Sequence, residues 1–217
     1  MKPENMKEFF EARLDGYEAH MLDEVVGCRG GYAAMAAALP EGIVRILDLG
    51  AGTGLELVPI LERFPDLVVS AIDLSGTMLS RLRARFPNKH NLCAVAGDYT
   101  KMKLGNRYFG AAISFQAFHH LMPADRLALY EKIRDTLLPG GVYIEGDYTA
   151  RDDAEEAAMQ KAALEARSEH GIPEDAMVHL DIPLTAAHTE ALLLEAGFST
   201  VDVIYSEGAT TVLVAKL

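Results

Sequence analysis

From residue 43 to residue 147 the chain repeats one unit, a short apolar run followed by a helical segment, and this rhythm admits few folds. The runs cover residues 43–49, 68–73, 92–96, 111–115 and 142–147. They are largely apolar on both faces, as parallel strands covered by helices on two sides are. Residues 55–63, 75–85 and 125–137 carry the helical period, with Ser75 placed to cap the second segment. Pro59 fits the first helix if it starts near Leu55, where few backbone bonds are lost. After a helix over 185–196, closed by Gly197, come two further strands at 200–205 and 210–216, joined by residues 206–209 alone. So short a link forces an antiparallel hairpin, since a parallel crossover needs about a dozen residues. The expectation is an α/β three-layer sandwich.

The first strand leads into Asp48-Leu49-Gly50-Ala51-Gly52-Thr53-Gly54, which opens a helix. Glycines there allow a tight turn, and their N–H groups with the sheet's carboxyl edge form a crevice for a ligand. Other strand ends point to the same crevice. Asp73 closes the second strand, where an acid can accept both hydroxyls of a ribose. Asp98 follows the third, where a carboxylate can accept from an adenine amine. Residues 114–121, including Gln116, Ala117, His119 and His120, follow the fourth. A nicotinamide fingerprint needs a small residue where Leu55 stands, and glycine comes one residue early at Gly54. No Gly-Lys-Ser/Thr follows, which removes a Walker-type phosphate loop.

Asp48 through Gly54 matches Asp/Glu-x-Gly-x-Gly-x-Gly, and the chain resembles the class I S-adenosylmethionine-dependent methyltransferases over nearly its whole length. Leu138-Pro139-Gly140-Gly141 is similar to that family's turn before the fifth strand. The resemblance implies a Rossmann-like, mostly parallel seven-stranded sheet whose last strand runs backwards between the fifth and sixth. It implies S-adenosylmethionine as cofactor, with Asp48 in the loop, Gly50, Ala51 and Gly52 along the methionine, and Asp73 on the ribose. Leu74 and Met78 would flank the adenine, Asp98 and Tyr99 would lie on its amine side, and Gln116 and Ala117 near the sulfonium. Arg13 and Tyr17, four residues apart on an N-terminal helix, would hold the cofactor's carboxylate. The activity implied is in-line methyl transfer to a small-molecule acceptor. Rival readings are a nicotinamide oxidoreductase, an enzyme that alters S-adenosylmethionine itself, and a binding protein without turnover.

The 217 residues suit a single domain, 1–217, with an N-terminal helical cap over 1–40 and a lid-like insertion over 151–181. Acceptor-side candidates are His119, His120, Glu145, Asp147 and Tyr148, the last two at the mouth as solvated residues. Either histidine would serve as the catalytic group, a base or an orienting contact. Being adjacent, with no third ligand placed, they are not read as a metal site. The formal charge of −12 disfavours nucleic-acid partners, and the cluster Arg81, Arg83, Arg85 and Lys89 reads as one helix face. No stretch approaches the roughly 20 apolar residues of a membrane helix. The charged first residues lack a signal peptide's apolar core. With two unlinked cysteines, Cys28 and Cys93, the chain is expected to be cytoplasmic.

Overall fold

The structure, a computed structural model, describes residues 3–173 and 175–217. Met1, Lys2 and Glu174, at the start of the expected cap and inside the expected insertion, lie outside the described residues. Strands β1 (Arg45–Leu49), β2 (Val68–Asp73), β3 (Leu92–Ala96), β4 (Phe109–Phe115), β5 (Leu137–Tyr148), β6 (Thr200–Glu207) and β7 (Thr210–Lys216) form a seven-stranded sheet. Its order is β3-β2-β1-β4-β5-β7-β6. The first five strands are parallel, and β7 runs antiparallel to both β5 and β6.

Alternation along each strand feeds two cores. Ile46, Val69, Ile113 and Ile144 pack with α3 (Cys28–Ala38), α4 (Leu57–Arg63) and α5 (Gly76–Arg85). Leu47, Leu49, Ala112 and Tyr143 pack on the other face with α6 (Pro123–Thr136) and α8 (Ala186–Glu195). A domain of this size needs both faces covered to bury enough apolar surface. Ser75 caps α5, its hydroxyl accepting from the Met78 N–H at 3.2 Å. Pro59 sits in the first turn of α4, where its missing N–H has no helical partner to lose.

Two local features differ from expectation. Leu138-Pro139-Gly140-Gly141 is a bulge inside β5, because Leu137 already pairs with Phe109 before Val142 pairs with Ala111. The N-terminal stretch is not one helix. It is divided into α1 (Met6–Ala12), α2 (Leu14–Ala19), a π-helical turn (His20–Glu24) and α3. Residues 153–169 of the expected insertion form α7 (Asp153–Glu169). The chain beyond it meets the N-terminus: Met6 N–H donates to the Met177 carbonyl at 3.0 Å, and His179 N–H to the Glu4 carbonyl at 2.9 Å. Arg81 and Arg85 of α5 pair with Asp15 and Glu18, which docks α2 on the sheet's helical layer. Among the described residues no helix is long and apolar enough to cross a membrane.

Candidate functional site

The chain leaves β1 toward β2 and later crosses to β4 on the other side, so a crevice opens between the ends of β1 and β4. Gly50 enters it with φ +76° and Gly52 with φ +49°. The amides of Gly50 and Ala51 donate to the Ile72 carbonyl at 2.8 and 3.2 Å. Gly52 N–H donates to Asp73 Oδ2 at 2.9 Å, and Ser75 N–H to Asp73 Oδ1 at 2.8 Å. The loop amides therefore turn onto β2 rather than standing open for a ligand, which corrects the reading of them as free donors. What the glycines supply is room, since a Cβ on Gly50 would stand 2.5 Å from the Ala117 Cβ. Across the crevice Gln116 has φ +51°, rare outside glycine, and its N–H donates to the Gly146 carbonyl at 2.8 Å. Such a conformation persists only where the surroundings impose it.

Tyr17, Gly50, Gly52, Asp73, Leu74, Met78, Tyr99, Gln116, Ala117 and His120 line one cleft. Asp48, Ala51, Asp98 and Arg13 do not. Ala51 is packed in the core. Asp98 turns away, its Oδ1 accepting from the Thr100 N–H at 2.9 Å and hydroxyl at 2.5 Å. Arg13 stands at the break between α1 and α2, donates to Glu4 at 2.9 Å and lies over the Phe9 ring. Arg13 therefore caps the break between α1 and α2, while Tyr17, within α2, reaches the cleft. Phe10, Ser75 and Met177 also line the cleft, and the sequence reading missed them. Phe10 was visible as an apolar helix residue, but its position over the crevice depends on how α1 docks.

A second cavity, of about 620 Å³, adjoins the cleft and shares Phe10, Tyr17, Gln116 and His120 with it. Arg13, His119, His179 and Asp181 line it as well. His119 and His120 lie in a 3-10 turn after β4, each 7% exposed. The Nδ1 proton of His119 donates to Asp147 Oδ1 at 2.5 Å, which leaves Nε2 with a lone pair in the neutral ring. Asp147 is not solvated at a mouth; it is 2% exposed within β5 and also accepts from the Tyr148 N–H at 2.9 Å. His120 Nδ1 donates to the Leu180 carbonyl at 3.1 Å. Burial, with the neighbouring His119 and His179 adding, holds the His120 pKa well below its ordinary value, so this ring is neutral. Glu145 lies deeper, accepting from the Tyr130 and Tyr143 hydroxyls at 3.1 and 2.9 Å, and burial pushes it up to about 7.

Asp48 and Glu56 form a buried pair of acids behind the loop. Burial first, then the Glu56 charge, raises Asp48 well above the usual carboxylate range. Burial, with Asp73 adding, pushes Glu56 from 4.5 to about 7. An acid raised in the folded state binds more protons folded than unfolded, so its stabilisation is complete below the unfolded value. It is lost as pH rises through the folded one. Glu56→Gln is therefore expected to match the parent near pH 5 and to exceed it at pH 8 by on the order of 3 kcal/mol. Urea unfolding at both pH values measures this. An equal loss of stability in both proteins between pH 5 and 8 would remove Glu56 as the cause.

Comparison with known proteins agrees with the fold. The family described as a methyltransferase domain matches residues 46–141. A malonyl-[acyl-carrier protein] O-methyltransferase of Geobacter sulfurreducens is 27% identical, over 75% of this chain and 59% of its own length. A carboxy-S-adenosyl-L-methionine synthase of Wolinella succinogenes is 27% identical over 93% of this chain and 91% of its own. The solved structure of a Thermotoga maritima S-adenosylmethionine-dependent methyltransferase, described as a possible histamine N-methyltransferase, superposes with a TM-score of 0.67. Its identity is 18%, covering 97% of this chain and 99% of that one. Residues 46–141 of the chain thus match the methyltransferase-domain family, and S-adenosylmethionine is the cofactor these likenesses support. The chain spans 59% of the length of the Geobacter relative.

Proposed function

We propose that this protein transfers the methyl group of S-adenosylmethionine to a small acceptor held in the cavity beside the cofactor cleft. The observation that carries this is the shared wall. Phe10, Tyr17, Gln116 and His120 face both spaces, so a methyl donor in one and an acceptor in the other can meet in line. The sulfonium is already activated, and transfer chiefly needs such positioning. The cofactor contacts assigned are Asp73 for the ribose, Leu74 and Met78 for the adenine, Gln116 and Ala117 near the sulfonium, and Tyr17 over the methionine end. On the acceptor side His119, oriented by Asp147, presents a Lewis-basic Nε2. The cap over residues 1–40 and the insertion over 151–181 meet above the cleft and would open to admit ligands. A reducing, cytoplasmic setting accords with Cys28 and Cys93 being unpaired.

Screening a metabolite library for release of S-adenosylhomocysteine tests the activity with any acceptor, because every methyl transfer from this donor releases that product. Tighter binding of a nicotinamide cofactor than of S-adenosylmethionine, measured by calorimetry, would overturn it. Asp73→Ala is expected to weaken S-adenosylmethionine binding tenfold or more, as a lost charge-assisted hydrogen bond does. Parent-like affinity in that variant would take Asp73 off the ribose. The near full-length likeness to a carboxy-S-adenosyl-L-methionine synthase favours a second reading, that the protein alters the cofactor itself. Mass spectrometry of the nucleoside that copurifies with the protein separates the two. A mass above that of S-adenosylmethionine supports the second.

A further inference from the structure

The wall between cofactor cleft and acceptor cavity holds more nitrogen and oxygen ligands than methyl transfer by positioning requires. His119, His120 and Asp181 each offer one ligating atom within 4.8 Å of the other two. Asp181 Oδ1 lies 3.8 Å from His119 Nε2 and 3.5 Å from His120 Nδ1. A tetrahedral ion with bonds of about 2.1 Å sets its ligands about 3.4 Å apart, so these separations need only small adjustment. The surroundings match as well. Asp147 holds the Nδ1 proton of His119 at 2.5 Å, the carboxylate–imidazole arrangement that orients metal-binding histidines. Ligation through His120 Nδ1 moves its proton to Nε2 and exchanges the bond to the Leu180 carbonyl for the ion.

We propose that His119, His120 and Asp181 form a binding site for a divalent first-row transition ion such as Zn²⁺, with an open position toward the 620 Å³ cavity. Two imidazoles and one carboxylate suit such ions rather than Mg²⁺ or Ca²⁺, which prefer oxygen alone. The site also narrows the acceptor class, and this part rests on the methyltransferase reading above. An ion there would take a hydroxyl or carboxylate oxygen of the acceptor and lower the pKa of a hydroxyl. The hydroxyl proton would leave to solvent and the oxygen would bond the methyl carbon. The carbon–sulfur bond would break to give S-adenosylhomocysteine.

The test is binding of Zn²⁺ alone to full-length protein freed of metal by a chelator, followed by calorimetry. One equivalent is expected, with Asp181→Asn and His120→Gln each weakening it at least tenfold. Asp181 is 41% exposed in its side chain, so its variant keeps the fold even if the buried His120 variant does not. Absence of saturable Zn²⁺ binding, or unchanged Zn²⁺ affinity in Asp181→Asn, overturns the site. Titration with S-adenosylmethionine in the same samples keeps the two readings apart. Failure of the cofactor to bind the parent defeats the proposed function, whatever the Zn²⁺ result.

Discussion

His119→Ala is expected to lower kcat/KM for the acceptor by about 10²- to 10⁴-fold, the range lost when a positioned acid–base or ligating group is removed. The cofactor affinity is expected to change less than about twofold, within the few tenths of a kcal/mol of a site without direct contact, because His119 lines the second cavity and not the cleft. Asp147→Asn should act through the same ring. Its amide can still meet Nδ1, but it no longer holds that proton as firmly, and the loss expected is about tenfold or more. Release of S-adenosylhomocysteine with the acceptor found by screening reads both effects, and calorimetry reads the cofactor. A His119→Ala protein that turns over at the parental rate would remove the ring from the chemistry. Equal loss of cofactor binding and turnover would make it a packing residue instead.

How far this site could be read from sequence depends on the distance over which each contact acts. The inner strands were legible because residues such as Ile46, Leu47, Val69 and Ile113 are buried on two faces, which leaves a local apolar signature. Ser75 was legible as a cap, since a cap and its helix are neighbours in the chain. The bulge at Leu138-Pro139-Gly140-Gly141 was not, because it follows from Leu137 pairing with Phe109 on another strand. Asp147 looked like a solvated strand-end acid. Its burial comes from its place in β5 beside β7 together with His119, which arrives from the turn after β4. Asp181 gave no signal at all, and His119 and His120 by themselves lacked a third ligand. The segment carrying Asp181 returns to them through the Ile182 N–H, which donates to the His119 carbonyl at 2.6 Å. Asp98 shows the converse limit: its position fits the motif, yet local bonds to Thr100 decide where its carboxyl points.

Gly50→Ala tests the closeness of β1 and β4 that makes the cleft. At φ +76° a side chain costs about 1–2 kcal/mol of backbone strain. The new methyl would also stand 2.5 Å from the Ala117 Cβ, so the two strand ends must separate. Overpacking of this kind adds about 1–3 kcal/mol. Ala117 cannot yield easily, because the preceding Gln116 is already held at φ +51° and bonded to Gly146. Both Gly50 and Ala117 line the cleft, so their separation deforms the cleft proposed to hold the cofactor. The expected result is a loss of about 2–5 kcal/mol, shared between folding and binding, with S-adenosylmethionine affinity falling about a hundredfold. Gly42→Ala supplies the comparison. Gly42 has φ +77° but nothing within 4 Å of the added carbon, so it carries the strain without the contact. Denaturant unfolding and calorimetry on both variants separate the two terms. Similar cofactor affinities in Gly42→Ala and Gly50→Ala would show that the approach to Ala117 does not shape the cleft.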